Sequence, residues 1–196
     1  MTEQQFKQTS DQELVKLTLQ DKSFYVFLVE RYEEKLRWYV RRTVGVTVEE
    51  AEDIVQEVFI KTYLNLNDFD PQLKFSSWIY RIAHNEAINY VRYRKRRPLT
   101  VELDQADNDW LLLRDDLDIV QSADQALLVE PLRQALEQLE DKYRQVLILR
   151  YWEDKDYQEI SDILHLPLGS VATLLNRGKK QLKQILQDNN FGQTYV

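Results

Sequence analysis

Cysteine is absent from this 196-residue chain. That excludes disulfides, thiolate zinc sites and cysteine nucleophiles, and it fits a reducing compartment. Glycine and proline are scarce, four of each, while 43% of the residues are hydrophobic. So few turn-formers among so much apolar material points to a mostly helical globular protein, not a disordered or all-β one. Long apolar runs are missing too: the longest are a handful of residues, far short of the roughly 20 that cross a bilayer. No membrane insertion is expected. The opening MTEQQFKQTSDQE has neither a basic start nor an apolar core, so no signal peptide is expected, and a cytoplasmic location is the default reading. The two histidines, His84 and His165, lie in separate halves of the chain without a thiol or carboxylate pattern suited to a metal. There is no glycine-rich phosphate loop and no nucleophile elbow. Catalytic residues, metal and cofactor are all expected to be none, and an enzyme is not the reading.

What is present is charge, unevenly placed. The chain as a whole carries −7. Between Pro98 and Glu130 stand nine acids (Glu102, Asp104, Asp107, Asp109, Asp115, Asp116, Asp118, Asp124 and Glu130) against the one base Arg114. This segment is therefore −8, which leaves +1 for everything else. Bounded by Pro98 and Pro131, it reads as a linker between two helical domains. A charged linker can simply stay solvated; its apolar patch from Trp110 to Leu113 argues that part of it docks. Immediately before it, SSWIYRIAHNEAINYVRYRKRR (residues 76–97) sets six bases (Arg81, Arg92, Arg94, Lys95, Arg96, Arg97) against Glu86, with Trp78, Tyr80, Tyr90 and Tyr93 interleaved. A basic, aromatic helix of this kind suits nucleic acid.

The periodicity is helical throughout. Ser10-Asp-Gln-Glu13 has capping-box spacing, followed by Leu14, Val15, Leu17 and Leu19. A second helix spans about Phe24 to Arg42, with Phe24, Phe27, Leu28, Tyr32, Leu36 and Tyr39 on one face, and Gly45 ends it. Thr47-Val-Glu-Glu50 is another capping box, and Ala51, Ile54, Val55, Val58, Phe59 and Thr62 form the stripe behind it. NLNDFDPQLKF, residues 65–75, interrupts helicity, and Ser76 is the expected N-cap of the basic helix. After the linker, two helices hinge near Glu140-Asp141. DYQEISDILHLPLGSVATLLNRGKKQLKQILQ then reads as helix, tight turn, helix. Ile160, Ile163 and Leu164 face inward from the first; Val171, Leu174 or Leu175, Leu182 and Leu186 do so from the second. Such a pair is either a plain structural hairpin or a DNA-reading helix-turn-helix. The basic run Arg177, Lys179, Lys180 and Lys183 favours DNA. The fold class expected is all-α, with domains at 10–97 and 131–187 joined by the acidic linker at 98–130.

In this order and spacing the blocks AEDIVQEVFIKTYLNLNDFD, FSSWIYRIAHNEAINYVRYRKRR and LRYWEDKDYQEISDILHLPLGSVATLLNRGKKQL resemble a bacterial sigma factor of the extracytoplasmic-function (group 4) type, over about Asp11 to Leu186. The resemblance implies a transcription initiation factor. Its partners would be core RNA polymerase, through the clamp helices of the largest subunit and the flap, and promoter DNA; an anti-sigma factor is a further partner of such proteins. Asp53, Gln56, Glu57 and Lys61, off the apolar stripe, correspond to the face that docks on the clamp helices. The loop Asn65 to Lys74 matches the family's specificity loop, which captures a base flipped from the −10 element. Asn65, Asn67, Phe69 and Lys74 are its candidates, with Phe69 as a wall of the base pocket. Arg81, Arg92, Arg94, Lys95, Arg96 and Arg97 would hold backbone phosphates, and Asn85 and Asn89 would offer amides to base edges. Trp78 is open between core residue and stacking platform. The second domain would read the −35 element through Ser170, Thr173 and Asn176, with Arg177, Lys179 and Lys180 beside them. The acidic linker would thread the polymerase interior toward the RNA exit path.

The chain departs from the family pattern within its helix-turn-helix. Members commonly carry a basic residue just after the valine matching Val171 and an arginine two positions later, where this chain has Ala172 and Leu174. The absence of two cations puts ordinary −35 recognition in doubt and leaves an alternative: a sigma-like decoy that binds an anti-sigma factor without initiating transcription. A repressor using only the helix-turn-helix is a third reading, but it leaves the first hundred residues unexplained. His165, where the family often has glycine, suits a turn at positive φ.

Overall fold

The computed structural model describes residues 8–96 and 131–189, and among these all regular structure is helical. They fall into two compact units, one holding the described residues up to 96 together with Asp162–His165, the other the remaining described residues from 131 onward. The expectations for the linker, for Arg97 and for the apolar patch at Trp110 lie outside the described residues.

The first unit begins with α1 (Asp11–Gln20), whose N-cap Ser10 accepts a hydrogen bond from the Glu13 amide at 3.3 Å. Leu14 and Val15 are buried. Leu19 is exposed, and Thr18 is buried, its hydroxyl donating to the Leu14 carbonyl. A 3-10 turn (Lys22–Phe24) leads into α2 (Tyr25–Val44). Leu28, Tyr32, Leu36 and Tyr39 are buried as the spacing predicts. Towards its end Arg41 and Arg42 are also buried, their guanidiniums 5.1 and 5.4 Å from the Trp38 ring. Cations suit this end of a helix, where the carbonyl dipoles leave negative potential. Gly45 closes α2 in the left-handed region at φ 64°, a conformation that costs glycine little.

Helix α3 (Val48–Leu64) opens with a reciprocal capping box: Thr47 Oγ1 accepts from the Glu50 amide, and the Glu50 carboxylate accepts from the Thr47 amide. Its buried residues are the six of the predicted stripe. The interruption after it is shorter than expected, because Leu66–Asp68 forms a 3-10 turn. Helix α4 (Phe75–Arg96) then starts before Ser76, which therefore lies inside the helix and is not its N-cap. Phe75 explains the shift: it is buried against Tyr32 and Phe69, and that anchors the first turn. Burying about 150–250 Å² of an aromatic outweighs a serine's preference for the cap.

Beyond the acidic segment the chain forms a helical run at 131–137 (α5), α6 (Asp141–Tyr151), α7 (Tyr157–Leu164) and α8 (Leu168–Asp188). The break at 138–140 coincides with the predicted hinge. Asp156 and Glu159 cap α7 reciprocally at 2.8 and 3.0 Å. Ile160, Val171 and Leu175 are buried, as are Val146 to Leu149, which resolves the Leu174–Leu175 ambiguity in favour of Leu175; Ile163 is buried as well. Gly178 is buried on α8 because α6 passes close: a Cβ there would lie 3.3 Å from Leu147 and Tyr143 side-chain atoms. His165 sits in the turn at φ 52°, as expected for that position.

Candidate nucleic-acid interface

Helix α4 divides cleanly into two faces. Phe75, Ile79, Ala83 and Ala87 are buried. Opposite them, Trp78, Arg81, Asn85, Asn89, Arg92 and Arg96 succeed one another at steps of three or four residues and so share one face. Asn85, Asn89, Arg92 and Arg96 are exposed, with Lys95 exposed at the edge; Trp78 and Arg81 are half-buried. The face thus runs from an aromatic through amides to a cationic end. It offers a stacking surface, donors and acceptors for base edges, and phosphate-binding charge in linear order.

Three sequence-predicted residues are placed differently. Arg94 projects to the side of α4 that meets α3, where its guanidinium reaches Glu50 at 3.1 and 3.2 Å. It belongs to an internal ion pair, not to the cationic face. Glu50 also accepts from the Tyr90 hydroxyl at 2.8 Å. Burial acts to raise the Glu50 pKa, but the Thr47 amide, Tyr90 and Arg94 outweigh it and hold the carboxylate below its usual range. Tyr90 moves the other way, to about 12, through burial and its bond to that carboxylate.

Phe69 is the second correction. It is only 6% exposed, with ring centroids 5.5 Å from Phe75 and 5.3 Å from Trp78. Burial makes it a support beneath the loop instead of an open pocket wall. Trp78 is intermediate: one side packs on Phe69 and Phe75, yet it keeps partial exposure. Tyr80 is core, buried against Tyr39. In the loop, Asn65, Asn67 and Lys74 are exposed, and the Asn65 amide nitrogen donates to the Lys61 carbonyl at 2.7 Å, closing α3.

Lys61 is the third. Its ammonium binds Glu86 at 2.6 Å across the α3–α4 seam. Asp53, Gln56 and Glu57 are exposed on α3 as expected. With them on one face stand Ile60 and Leu64, 51% and 69% exposed, which the sequence reading passed over. The signal was available: positions 53, 56, 57, 60 and 64 keep helical spacing, and a strip that turns apolar at one end is a docking surface more than a solvated one.

His84 lies beside the stripe. Its Nδ1 is 3.1 Å from the Tyr39 hydroxyl, and burial lowers its pKa to about 4, so the ring is neutral at pH 7.

On α8, the buried line Val171, Leu175 and Gly178 faces inward. The outermost ridge, at the opposite azimuth, is Gly169, Thr173, Asn176 and Lys180. Thr173, Asn176, Arg177, Lys179 and Lys180 are exposed and Ser170 is half-buried; Ala172 and Leu174 are half-buried on the flanks. Thr173 Oγ1 donates to the Gly169 carbonyl at 2.8 Å. Among the described residues no helix is long and apolar enough to cross a membrane.

Comparison with known proteins covers both units. The family model for sigma-70 region 2 matches residues 28–97, and that for sigma-70 region 4 matches residues 130–182. The ECF RNA polymerase sigma factor SigW of Bacillus subtilis is 36% identical over 86% of this chain and 91% of its own length. The ECF RNA polymerase sigma-E factor of Escherichia coli is 31% identical over 92% of this chain and 96% of its own. Among solved structures, CnrH in complex with the cytosolic domain of CnrY superposes with a TM-score of 0.67 at 20% identity, covering 92% of this chain and 99% of that one. The sigma factor RpoE of Bartonella quintana, in complex with the anti-sigma factor NepR, superposes with a TM-score of 0.59 at 19% identity, covering 81% and 94%.

Proposed function

The chain belongs to the extracytoplasmic-function group of the sigma-70 family, and from that premise we propose a division of labour among its surfaces. It is a transcription initiation factor: it binds core RNA polymerase and directs it to promoter DNA. The domain at 10–97 engages core polymerase and opens the −10 element, the segment 98–130 links, and the domain at 131–187 reads the −35 element. All of this takes place in the cytoplasm, where polymerase and chromosome are, and the phosphodiester chemistry belongs to the polymerase.

Core polymerase docks on the outward face of α3. Asp53, Gln56 and Glu57 supply polar contacts, and the exposed Ile60 and Leu64 supply the apolar area that makes docking favourable, at about 25 cal/mol per Å² removed from water. Strand opening is carried by the outward stripe of α4, the observation on which this reading rests. Unstacking costs the duplex energy, and an aromatic face restores about 1–3 kcal/mol per base; Trp78, packed on Phe69 and Phe75 yet partly exposed, supports that role. Asn85 and Asn89 follow with amides, and Arg92, Lys95 and Arg96 hold the phosphates. An anti-sigma factor acting on this chain would cover these same faces.

The test is transcription by reconstituted holoenzyme on two templates, one fully duplex and one pre-opened across the −10 region. Trp78→Ala and Asn85→Ala are expected to depress RNA synthesis on the duplex and to leave the pre-opened template largely unaffected. Equal loss on both would overturn the melting role. Absence of promoter-dependent RNA from the unaltered protein, with retained binding to an anti-sigma factor, would establish the decoy instead.

A further inference from the structure

Two buried cations near the end of α2 take no part in the surfaces described so far. Arg41 and Arg42 are each 7% exposed, and so is Trp38, whose ring lies 5.1 and 5.4 Å from their guanidinium carbons. At about 100° per residue, Trp38 and Arg41 fall outside the stripe of Leu28, Tyr32, Leu36 and Tyr39. The packing of that stripe does not account for them. Arginine is seldom buried unless it is paired. The carbonyl end of α2 supplies about half an elementary charge, less than the Arg41 guanidinium carries. The Glu49 carboxylate feels Arg41, but its pKa is depressed first by hydrogen bonds from its own amide and from Thr47. Glu49 is also exposed, where its charge is screened by water.

The hydrogen bonds supply an independent observation. Arg41 Nε and Trp38 Nε1 are both shut off from solvent, and neither has a hydrogen-bond partner among the described residues. Buried donors without acceptors are costly and rare. These two stand three residues apart on one helix face, with a guanidinium stacked on the indole between them. Neither an indole nor a guanidinium can accept. The cluster therefore holds donors and positive charge and lacks acceptor oxygens. A water molecule could accept from both donors, but it would leave the Arg41 charge unbalanced. A phosphate does both, and guanidinium forks match its geometry. Side chains so far buried exclude the backbone of a duplex and favour a small anion.

We propose that Trp38, Arg41 and Arg42 form a binding site for a phosphate dianion, either free or at the end of a small nucleotide. Arg41 Nε and Trp38 Nε1 donate to its oxygens, and Arg42, stacked on the same ring, adds charge. The site is separate from the faces assigned to polymerase and promoter, yet it is tied to one of them. Tyr39, next to Trp38, has its hydroxyl 3.1 Å from His84, and His84 adjoins Asn85 on the outward stripe of α4. A ligand that binds only the folded chain stabilises it by mass action. Phosphate thus steadies the turn of α2 that supports the DNA-facing helix.

The experiment follows thermal unfolding of the full chain in sodium phosphate and in sodium chloride at matched ionic strength and pH. Inorganic phosphate and a nucleoside 5′-diphosphate are titrated separately by calorimetry. The midpoint of the unaltered protein should be higher in phosphate than in chloride. Trp38→Phe keeps a ring beneath both guanidiniums and removes the donor. Its affinity for phosphate should fall about tenfold, as for loss of one hydrogen bond to a charged group, while its midpoint in chloride stays level. Arg41→Gln should leave the midpoint in chloride level or raise it, by removing a buried charge, and should lower it in phosphate. That change of sign separates an anion site from an arginine stacked for packing alone, which would lose stability in both buffers. Tighter binding of the diphosphate would assign the site to a nucleotide, and tighter binding of inorganic phosphate to the free ion; either supports the proposal. Equal midpoints in the two buffers, or a phosphate affinity unmoved by both substitutions, would overturn it. So would binding that emerges only after Asp104, Asp107, Asp109, Asp115 and Asp116 are replaced by Asn, because the chain's own carboxylates would then be the occupants. The roles proposed for α3 and α4 stand in every case.

Discussion

His84 shows how a single side chain ties the stability of the first unit to pH. Its ring is half-buried next to Tyr39, and its pKa falls from 6.5 to about 4. Between those values the unfolded chain takes up a proton that the native state does not. Stability is therefore full above about pH 6.5 and declines as the pH drops towards 4. At pH 5 the expected loss from this group is about 2 kcal/mol. Urea unfolding of the full chain at pH 7.5 and pH 5.0 should show a lower midpoint at the acid pH, and His84→Gln should shrink the difference; a variant with the same pH dependence would assign it elsewhere. Glu50 contributes at lower pH, with its sign set by a depressed pKa: its stabilisation is present above the usual carboxylate range and lost as the pH falls through the folded value. Because Glu50 caps α3 and also receives Tyr90 and Arg94, Glu50→Ala should destabilise by more than removal of a cap alone, which costs about 1 kcal/mol. Thermal unfolding of Glu50→Ala beside Thr47→Ala, which removes only the cap, decides it.

At the scale of elements, α4 separates cations that look alike in sequence. Arg92 and Arg96 lie on the outward stripe, and Arg94, between them, is turned to Glu50. Arg92→Ala and Arg96→Ala in holoenzyme should each reduce the salt dependence of promoter binding, lowering the slope of log affinity against log salt by about 0.7–0.9 for each phosphate no longer neutralised. Arg94→Ala should leave that slope unchanged and cost about 0.2–1 kcal/mol in stability, as a partly exposed ion pair does. Equal slopes for all three variants would mean that the two faces of α4 are not functionally distinct. The distinction also marks how far the sequence could be read. The start of α3 and its inward stripe were legible because caps and periodicity are local: Thr47 and Glu50 are three residues apart, and the buried set of α3 repeats at three and four. Lys61 and Arg94 were not, because the carboxylates that claim them lie 25 and 44 positions away. Phe69 failed for the same reason, since its burial depends on Phe75 and Trp78 closing over it. Ile60 and Leu64 were legible and went unread, because the polar residues of their face masked its apolar end.

The whole molecule is organised by charge. Its −7 is the sum of an acidic segment at −8 and a remainder of +1, so the acidity that would repel DNA is confined to the stretch of sequence between the two units that bind it. In a complex, a segment so charged would compete with any other polyanion for cationic surface, and nascent RNA is such a polyanion. Substituting Asn at Asp104, Asp107, Asp109, Asp115 and Asp116 takes the segment from −8 to −3 without changing its length. If the charge delays RNA, holoenzyme with the neutralised segment should release fewer abortive transcripts per full-length product on the same promoter. Open-complex formation should be little affected, because α3 and α4 are untouched. Raising the salt should narrow the gap between the two proteins, since exposed charges are screened beyond about 8 Å at physiological ionic strength. An abortive ratio unchanged at low salt would reduce the segment to a tether.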